Sequence, residues 1–185
     1  MGLVALVAGC GSGRDLDPPR NLDNACALGR ERPHYMRAMR RAERRWHVPV
    51  HVQMATIHQE SRFDGDIRPP FTYALGVIPT GRQSSALGYS QALDGTWAEY
   101  QRATGNRRAQ RTNIDDATDF MGWYMNLTLE RNGIALTDTR NQYLNYHEGH
   151  AGYRRGSHNA KPWLLEVAAR VEQRAEIYRV QLLSC

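Results

Sequence analysis

The feature that most constrains this chain is an apolar run that ends in a carboxylate. The segment VPVHVQMATIHQES reads as a helix buried on nearly every side. Val50, Met54 and Ile57 recur at helical spacing, and Val52 and Ala55 fill in beside them. Pro49 suits the first helical position, where a missing N–H costs nothing. Glu60 closes the run and Ser61 follows at once. An ionised carboxylate is expensive to bury, and the cheap escape is a raised pKa. A carboxyl group that keeps its proton near neutral pH is in the state a general acid requires. The plainer alternative is a helix-end glutamate that simply reaches water.

The rest of the chain reads as helix after helix from about Glu31. Tyr35, Met39, Ala42 and Trp46 mark the apolar stripe of the first long helix, and the helix bearing Glu60 comes second. A stretch rich in Pro, Gly and Ser follows, FDGDIRPPFTYALGVIPTGRQSS, too long for a plain turn. Short strands can form within YALGVI. TWAE then reads as a capping box, with Thr96 as cap and Glu99 reaching back. Asp115 or Asp116 is expected to cap DATDFMGWYMNLTLER, whose Phe120, Trp123, Tyr124 and Leu127 form an apolar face. Asn132-Gly133 is a natural stop. A helix around TRNQYLNYHEG comes next. The last helix runs from Pro162 towards Leu183, with Leu164, Val167, Ala168, Val171, Ala175 and Tyr178 on one side. No internal repeat or alternating sheet pattern is present. The expected class is all-α or mostly α, one domain with an enlarged loop.

The formal net charge is +5, carried mostly by arginine. Arg37, Arg40, Arg41, Arg44 and Arg45 crowd the first long helix. Such a face can meet nucleic acid, an anionic membrane or an anionic polymer, but a solvated helix face is the simpler reading. No aromatic-and-basic RNA-binding signature accompanies it, so no nucleic-acid partner is expected. His47 and His51 are spaced i, i+4, and His147 and His150 lie close together. No zincin motif and no completing carboxylate–cysteine set joins them, so neither metal nor cofactor is expected. No phosphate-binding glycine loop or serine-hydrolase elbow is present.

At the N-terminus, MGLVALVAGC resembles the lipobox of a bacterial lipoprotein, with Val7, Ala8 and Gly9 before a lipidated Cys10. The run is too short to span a bilayer, so it reads as a targeting segment, residues 1–10. It lacks a positively charged n-region, so either translation starts upstream or the match is coincidental. Gly11, rather than Asp, after Cys10 leans towards the outer membrane. Residues 11–30 have the Gly, Pro, Asp and Arg content of a mobile tether, which leaves 31–185 for the folded domain. With Cys10 lipidated, Cys26 and Cys185 remain; in an oxidising periplasm they pair, the alternative being two free thiols.

Three segments in order carry a family resemblance. Glu60-Ser61, Gly88-Tyr89-Ser90-Gln91 and Asn145-Tyr146-His147-Glu148-Gly149 are similar to the Glu-Ser, Gly-Leu-Met-Gln and Ala-Tyr-Asn-Ala-Gly motifs of one family. That family is the soluble, goose-lysozyme-like lytic transglycosylases, and the resemblance covers roughly residues 35–182. The middle motif keeps only Gly88 and Gln91, His147 and Glu148 replace Asn and Ala, and the interval from Ser61 to Gly88 is long.

The resemblance implies a lysozyme-like helical domain acting on peptidoglycan as a monomer in the periplasm. It implies cleavage of the bond between N-acetylmuramic acid and N-acetylglucosamine, leaving a 1,6-anhydro end. Glu60 would be the single acid and base. Ser61, Gln91 and Tyr146 would bind substrate or hold Glu60, and Tyr89 and Tyr124 would line the cleft. The loop from Phe63 to Ser85 is expected to wall one side of that cleft, with Phe71 and Tyr73 packing on sugar faces. Two rivals share these residues. A lysozyme-like hydrolase would need a second carboxylate, for which Glu148, Asp64 and Asp66 are the candidates. A wall-binding lipoprotein would keep the cleft without turnover.

Overall fold

In the computed structural model, residues 16–185 are described. The lipobox-like segment and Cys10 lie outside the described residues. Among the described residues, seven helices and one hairpin follow in order: α1 (Ala25–Glu31), α2 (Pro33–Trp46), α3 (Val50–Ser61), β1 (Phe71–Ala74), β2 (Ile78–Arg82), α4 (Asp94–Thr104), α5 (Ile114–Asn132), α6 (Thr139–Arg154) and α7 (Pro162–Leu182). A single 3-10 turn, Ser157–Ala160, joins the last two. The mostly helical, lysozyme-like class is therefore the one observed. No helix among the described residues is long and apolar enough to cross a membrane.

α3 lies at the centre because most of its length is apolar, and only His51 and the last turn before Ser61 keep contact with solvent. Val50, Val52, Met54, Ala55 and Ile57 are all buried, against α7 on one side and α2 on the other. Its buried polar residues are satisfied locally. Gln53 Nε2 donates to the carbonyls of Met39 (3.1 Å) and Val48 (2.8 Å), and Thr56 Oγ1 bonds back to Val52 (2.9 Å). The amide of Gln53 thereby fastens the start of α3 to the end of α2 without breaking the apolar packing.

α2 packs along α5, and their polar edges meet in an acidic hub. Asp119 accepts from Trp46 Nε1 (2.8 Å), Arg45 (3.1 Å) and Tyr100 Oη (2.7 Å), so one carboxylate ties α2, α4 and α5 together. Arg41 pairs with Asp115 in the same seam. Part of the arginine-rich face of α2 is thus spent on α5. Behind it, Trp97, Tyr100, Phe120, Trp123 and Tyr124 form a second, aromatic core.

Two helix starts differ from expectation. α4 begins at Asp94, not Thr96; no side chain of the helix caps it, and Ser85 Oγ accepts from the Asp94 N–H across the loop (3.1 Å). α5 is capped by Asn113, whose side chain accepts from the N–H groups of Asp115 and Asp116. Asp115 and Asp116 sit inside the first turn, where the helix dipole favours acid. Asp116 is used instead to accept from the Gln110 N–H (2.8 Å).

Residues 16–30, expected to be a mobile tether, are ordered over this whole described stretch. Pro19, Ala25 and Leu28 are buried and Leu22 packs on the main core. α7 supplies their polar partners: Gln181 Oε1 accepts from Ala25 N (2.7 Å), Tyr178 donates to the Leu22 carbonyl, and Arg174 pairs with Asp23 at 2.7 Å. Apolar residues spaced through a polar stretch were enough to dock it. Cys26 of α1 and Cys185 are joined by a disulfide, with Cα atoms 5.8 Å apart.

Closing a loop of 159 residues chiefly restricts the unfolded chain. Cys185→Ser is expected to lower the free energy of unfolding by about 2–5 kcal/mol in urea denaturation, and dithiothreitol should do the same to the wild type but not to the variant.

Candidate active site

Glu60 occupies the last turn of α3, where the negative end of the helix dipole already opposes a carboxylate charge. It keeps a little solvent contact, yet protein surrounds most of it. That burial pushes its pKa up to about 7, against a hydrogen bond from Tyr143 that favours the charged form. No carboxylate is among the groups acting on it. The group therefore exchanges its proton near neutral pH, with Tyr143 of α6 holding it in place.

One helical turn further along α6, Tyr146 faces the same carboxyl, whose charge raises the tyrosine pKa after burial itself. The Tyr146 hydroxyl donates to the Ser90 carbonyl at 2.6 Å, and its ring meets the edge of Tyr124 at 5.2 Å. Tyr146 thus joins Glu60 to the loop between β2 and α4. That loop is held in a form only glycine allows. Gly88 has φ +72°, and a Cβ there would lie 2.3 Å from the Arg111 carbonyl oxygen. Its N–H donates to Ile67 (3.0 Å), and Gln91 Nε2 donates to Ile67 (3.1 Å) and Gly88 (2.8 Å). The amide of Gln91 braces the loop while the residue still lines the cleft.

The cleft itself is a cavity of about 220 Å³ bounded by Gln91, Leu93, Thr96, Tyr124, Tyr146 and Gly149. α6 breaks at Gly149 (φ 72°, ψ 157°), so the cavity wall there is backbone rather than a continuous helix face. Beside the break, Glu148 is clamped. Its side chain is 4% exposed and accepts from Lys161 Nζ (2.7 Å), His147 Nδ1 (3.0 Å) and Ser157 Oγ. Burial opposes its charge, but the bonds from Lys161, Ser157 and His147 win and hold its pKa at about 2.

Of the residues singled out in the sequence, Gln91, Tyr124, Tyr146 and Glu148 line this cavity; Glu60 is not among its lining residues and meets it through Tyr146, which its charge acts on. Two others do neither. Ser61 is buried and donates to the Ile57 carbonyl four residues back (3.2 Å), the ordinary habit of a helical serine. Tyr89 is turned into the main core, its hydroxyl 2.8 Å from that of Tyr35 and the rings 5.5 Å apart. The Phe63–Ser85 loop lines none of this cavity; it touches its surroundings through Ile67, which accepts from Gln91, and through Ser85, which accepts from the Asp94 N–H. Phe71 and Tyr73 are exposed on the hairpin, and neither lines the cavity. Asp64 and Asp66 form a turn beyond α3, with the Asp66 N–H donating to Asp64 Oδ1 (3.0 Å). Tyr143 was not anticipated, although its i, i+3 spacing from Tyr146 puts both on one face of α6. His47 ends α2 in a left-handed conformation and His150 stacks on Tyr124 at 4.4 Å. Among the described residues no cluster of His, Cys, Asp and Glu could hold a metal ion.

A family model described as Transglycosylase SLT domain matches the chain over residues 1–185. No curated protein matches it.

Gly88→Ala would need both an unfavourable φ and a displaced Arg111 carbonyl. It is expected to cost about 2 kcal/mol or more of stability, checked by thermal denaturation. Ala substitution at Gly105, where a Cβ meets nothing but φ is likewise positive, should cost less.

Proposed function

This chain belongs to the transglycosylase SLT domain family, and we propose that within it Glu60 alone carries the cleavage of peptidoglycan glycan strands. Members of this family are lytic transglycosylases, which act on peptidoglycan in the cell envelope. The observation that carries the proposal is a single enclosed carboxyl, poised at a pKa of about 7, with one hydroxyl donor and, among the described residues, no second carboxylate acting on it.

In this reading the glycan lies along the cleft with the bond between muramic acid C1 and the next sugar's O4 over Glu60. The protonated carboxyl gives its proton to O4 as that bond breaks. Positive charge develops at C1. The carboxylate now left on Glu60 takes the proton from the C6 hydroxyl of the same sugar, and that oxygen closes on C1. The product is a 1,6-anhydro ring, and Glu60 is returned protonated. The nucleophile is already tethered, so its effective concentration replaces much of what a second catalytic group supplies elsewhere. Tyr143 steadies the carboxylate between the two steps, and Tyr146 keeps the Gly88–Gln91 loop against the cleft. Gln91 and Tyr124 offer a polar edge and a ring to the sugars.

The hydrolase alternative is less well supported. Glu148, its best candidate for a second carboxylate, is fixed by three donors and held charged by them. Attachment through a lipidated Cys10 and an outer-membrane location belong to the proposal, as does monomeric action on glycan strands.

Mass spectrometry of released muropeptides should show anhydro ends; reducing ends would mean hydrolysis. Glu60→Gln is expected to lower the cleavage rate by about 10²–10⁴-fold or more. Because the acid form must be present at the start, kcat/KM should fall as pH rises through about 7. Tyr143→Phe removes a bond to the charged form and should move that fall to higher pH.

The same carboxyl sets a stability signature. Its folded pKa lies above its ordinary value, so the folded state binds the extra proton and stability is lost as pH rises from 4.5 to about 7. Glu60→Gln should therefore unfold at a higher temperature than wild type at pH 8, by up to about 3 kcal/mol in free energy. The two should converge near pH 4.5. Equal stability at pH 8 would contradict the enclosure of an ionised Glu60.

A further inference from the structure

The β1–β2 hairpin carries a run of exposed apolar residues that lies outside the cavity at the site. It packs chiefly on itself. Phe71, Tyr73, Leu75, Val77 and Ile78 are all exposed, Leu75 by 89% and Val77 by 76%. The register pairs Phe71 with Arg82 and Tyr73 with Pro79 on one face, and Ala74 with Ile78 on the other. Beyond Thr72 and Thr80, whose exposed hydroxyls bond to each other, both faces of the ribbon's outer half and its turn are apolar. A protein groove covers one face of a ribbon; an end apolar on both faces is matched by a medium that surrounds it.

The turn strengthens this. Leu75 has φ +52° and is followed by Gly76 at φ +73°. Two successive positive φ values favour Asn, Asp or Gly, and a leucine in the first position is strained. Folding gains nothing from it, since the side chain touches little but water. An apolar tip held at a backbone cost points to a use outside the domain.

The charge around the base identifies the partner. Between Ile67 and Leu93 there is no acidic residue. Arg68 and Arg82 flank the ribbon where it leaves the domain, and both are exposed. Arg82 lies 4.2 Å over the Phe71 ring and donates to the Pro69 carbonyl (2.7 Å), which aims the guanidinium along the base. Arg68 has only Asp66 nearby, at 4.0 Å. An apolar tip, a tyrosine at mid-height and a cationic collar are the layers of a segment that dips into a lipid surface with anionic headgroups.

We infer that the β1–β2 hairpin inserts Leu75, Val77 and Ile78 into an anionic lipid surface, with Arg68 and Arg82 on the headgroups. This contact is separate from any lipid at Cys10. It holds the domain with the cleft, whose Gln91 donates to the Ile67 carbonyl near the hairpin base, close to the membrane.

The test uses the full chain carrying Cys10→Ser, so that no lipid anchor contributes. Binding to vesicles of phosphatidylglycerol and phosphatidylethanolamine is measured by co-sedimentation. The triple variant Leu75→Ser/Val77→Ser/Ile78→Ser changes only exposed side chains and should keep the circular dichroism and melting temperature. It is expected to bind about tenfold more weakly or worse. Arg68→Gln/Arg82→Gln should weaken binding to these vesicles and leave the weaker binding to phosphatidylcholine vesicles unchanged. Vesicle binding that the serine variant retains in full, or that is absent in the parent chain, would overturn the inference. So would a dimer in solution that the serine variant abolishes, which would make a second copy the occupant. A loss of cleavage of lipid-free glycan fragments by the serine variant would assign the hairpin to the sugar. Vesicle binding is read without turnover, so its outcome is independent of the assignment of Glu60.

Discussion

A carboxyl group taken out of water at the C-terminal end of a helix meets two penalties at once, lost hydration and the negative end of the helix dipole. Glu60 meets both, and the architecture answers them with little more than a single tyrosine bond. That restraint matters. A full ion pair, such as the one Lys161 makes with Glu148, would hold the acid permanently charged. The two glutamates stand near one cleft in opposite states because one has a cation and the other has a phenol.

The surrounding helices share the work of keeping that state stable. α3 needs apolar walls, and α2 and α7 provide them. The walls in turn need polar fastening that stays away from Glu60. Asp119 does this at the α2–α5 seam, and Gln53 does it at the buried start of α3. The polar network is therefore concentrated at the edges of the apolar core, and Glu60 is left at its inner end with only Tyr143 to steady it.

Periodicity made much of this legible. The all-apolar α3, the stripe of α2 and the stop at Gly133 are local patterns, and local patterns survive folding. The caps did not, because they were decided by groups distant in sequence. Ser85 serves the start of α4, and Asn113 displaces two aspartates that the helix dipole would have accepted anywhere in the first turn. Tyr89 and Ser61 show a related limit. A motif gives residue type and order, but the direction of a side chain depends on which neighbour completes it, and here Tyr35 and the Ile57 carbonyl did so. The ordering of residues 16–30 was hidden for the same reason, since their partners lie on α7 at the far end of the chain. Tyr143 could have been found from its spacing to Tyr146 alone.

The Cys26–Cys185 bond makes the two ends of the folded chain a single mechanical point. A pull arriving from the residues before α1 can strip the short contacts of the preceding segment, but at Cys26 it passes straight into α7. The load is then shared between α1 and the end of α7 rather than borne by the contacts of α1 alone. Peeling α1 away from the body therefore requires α7 to come with it, and α7 is held along its length by α3 and α6.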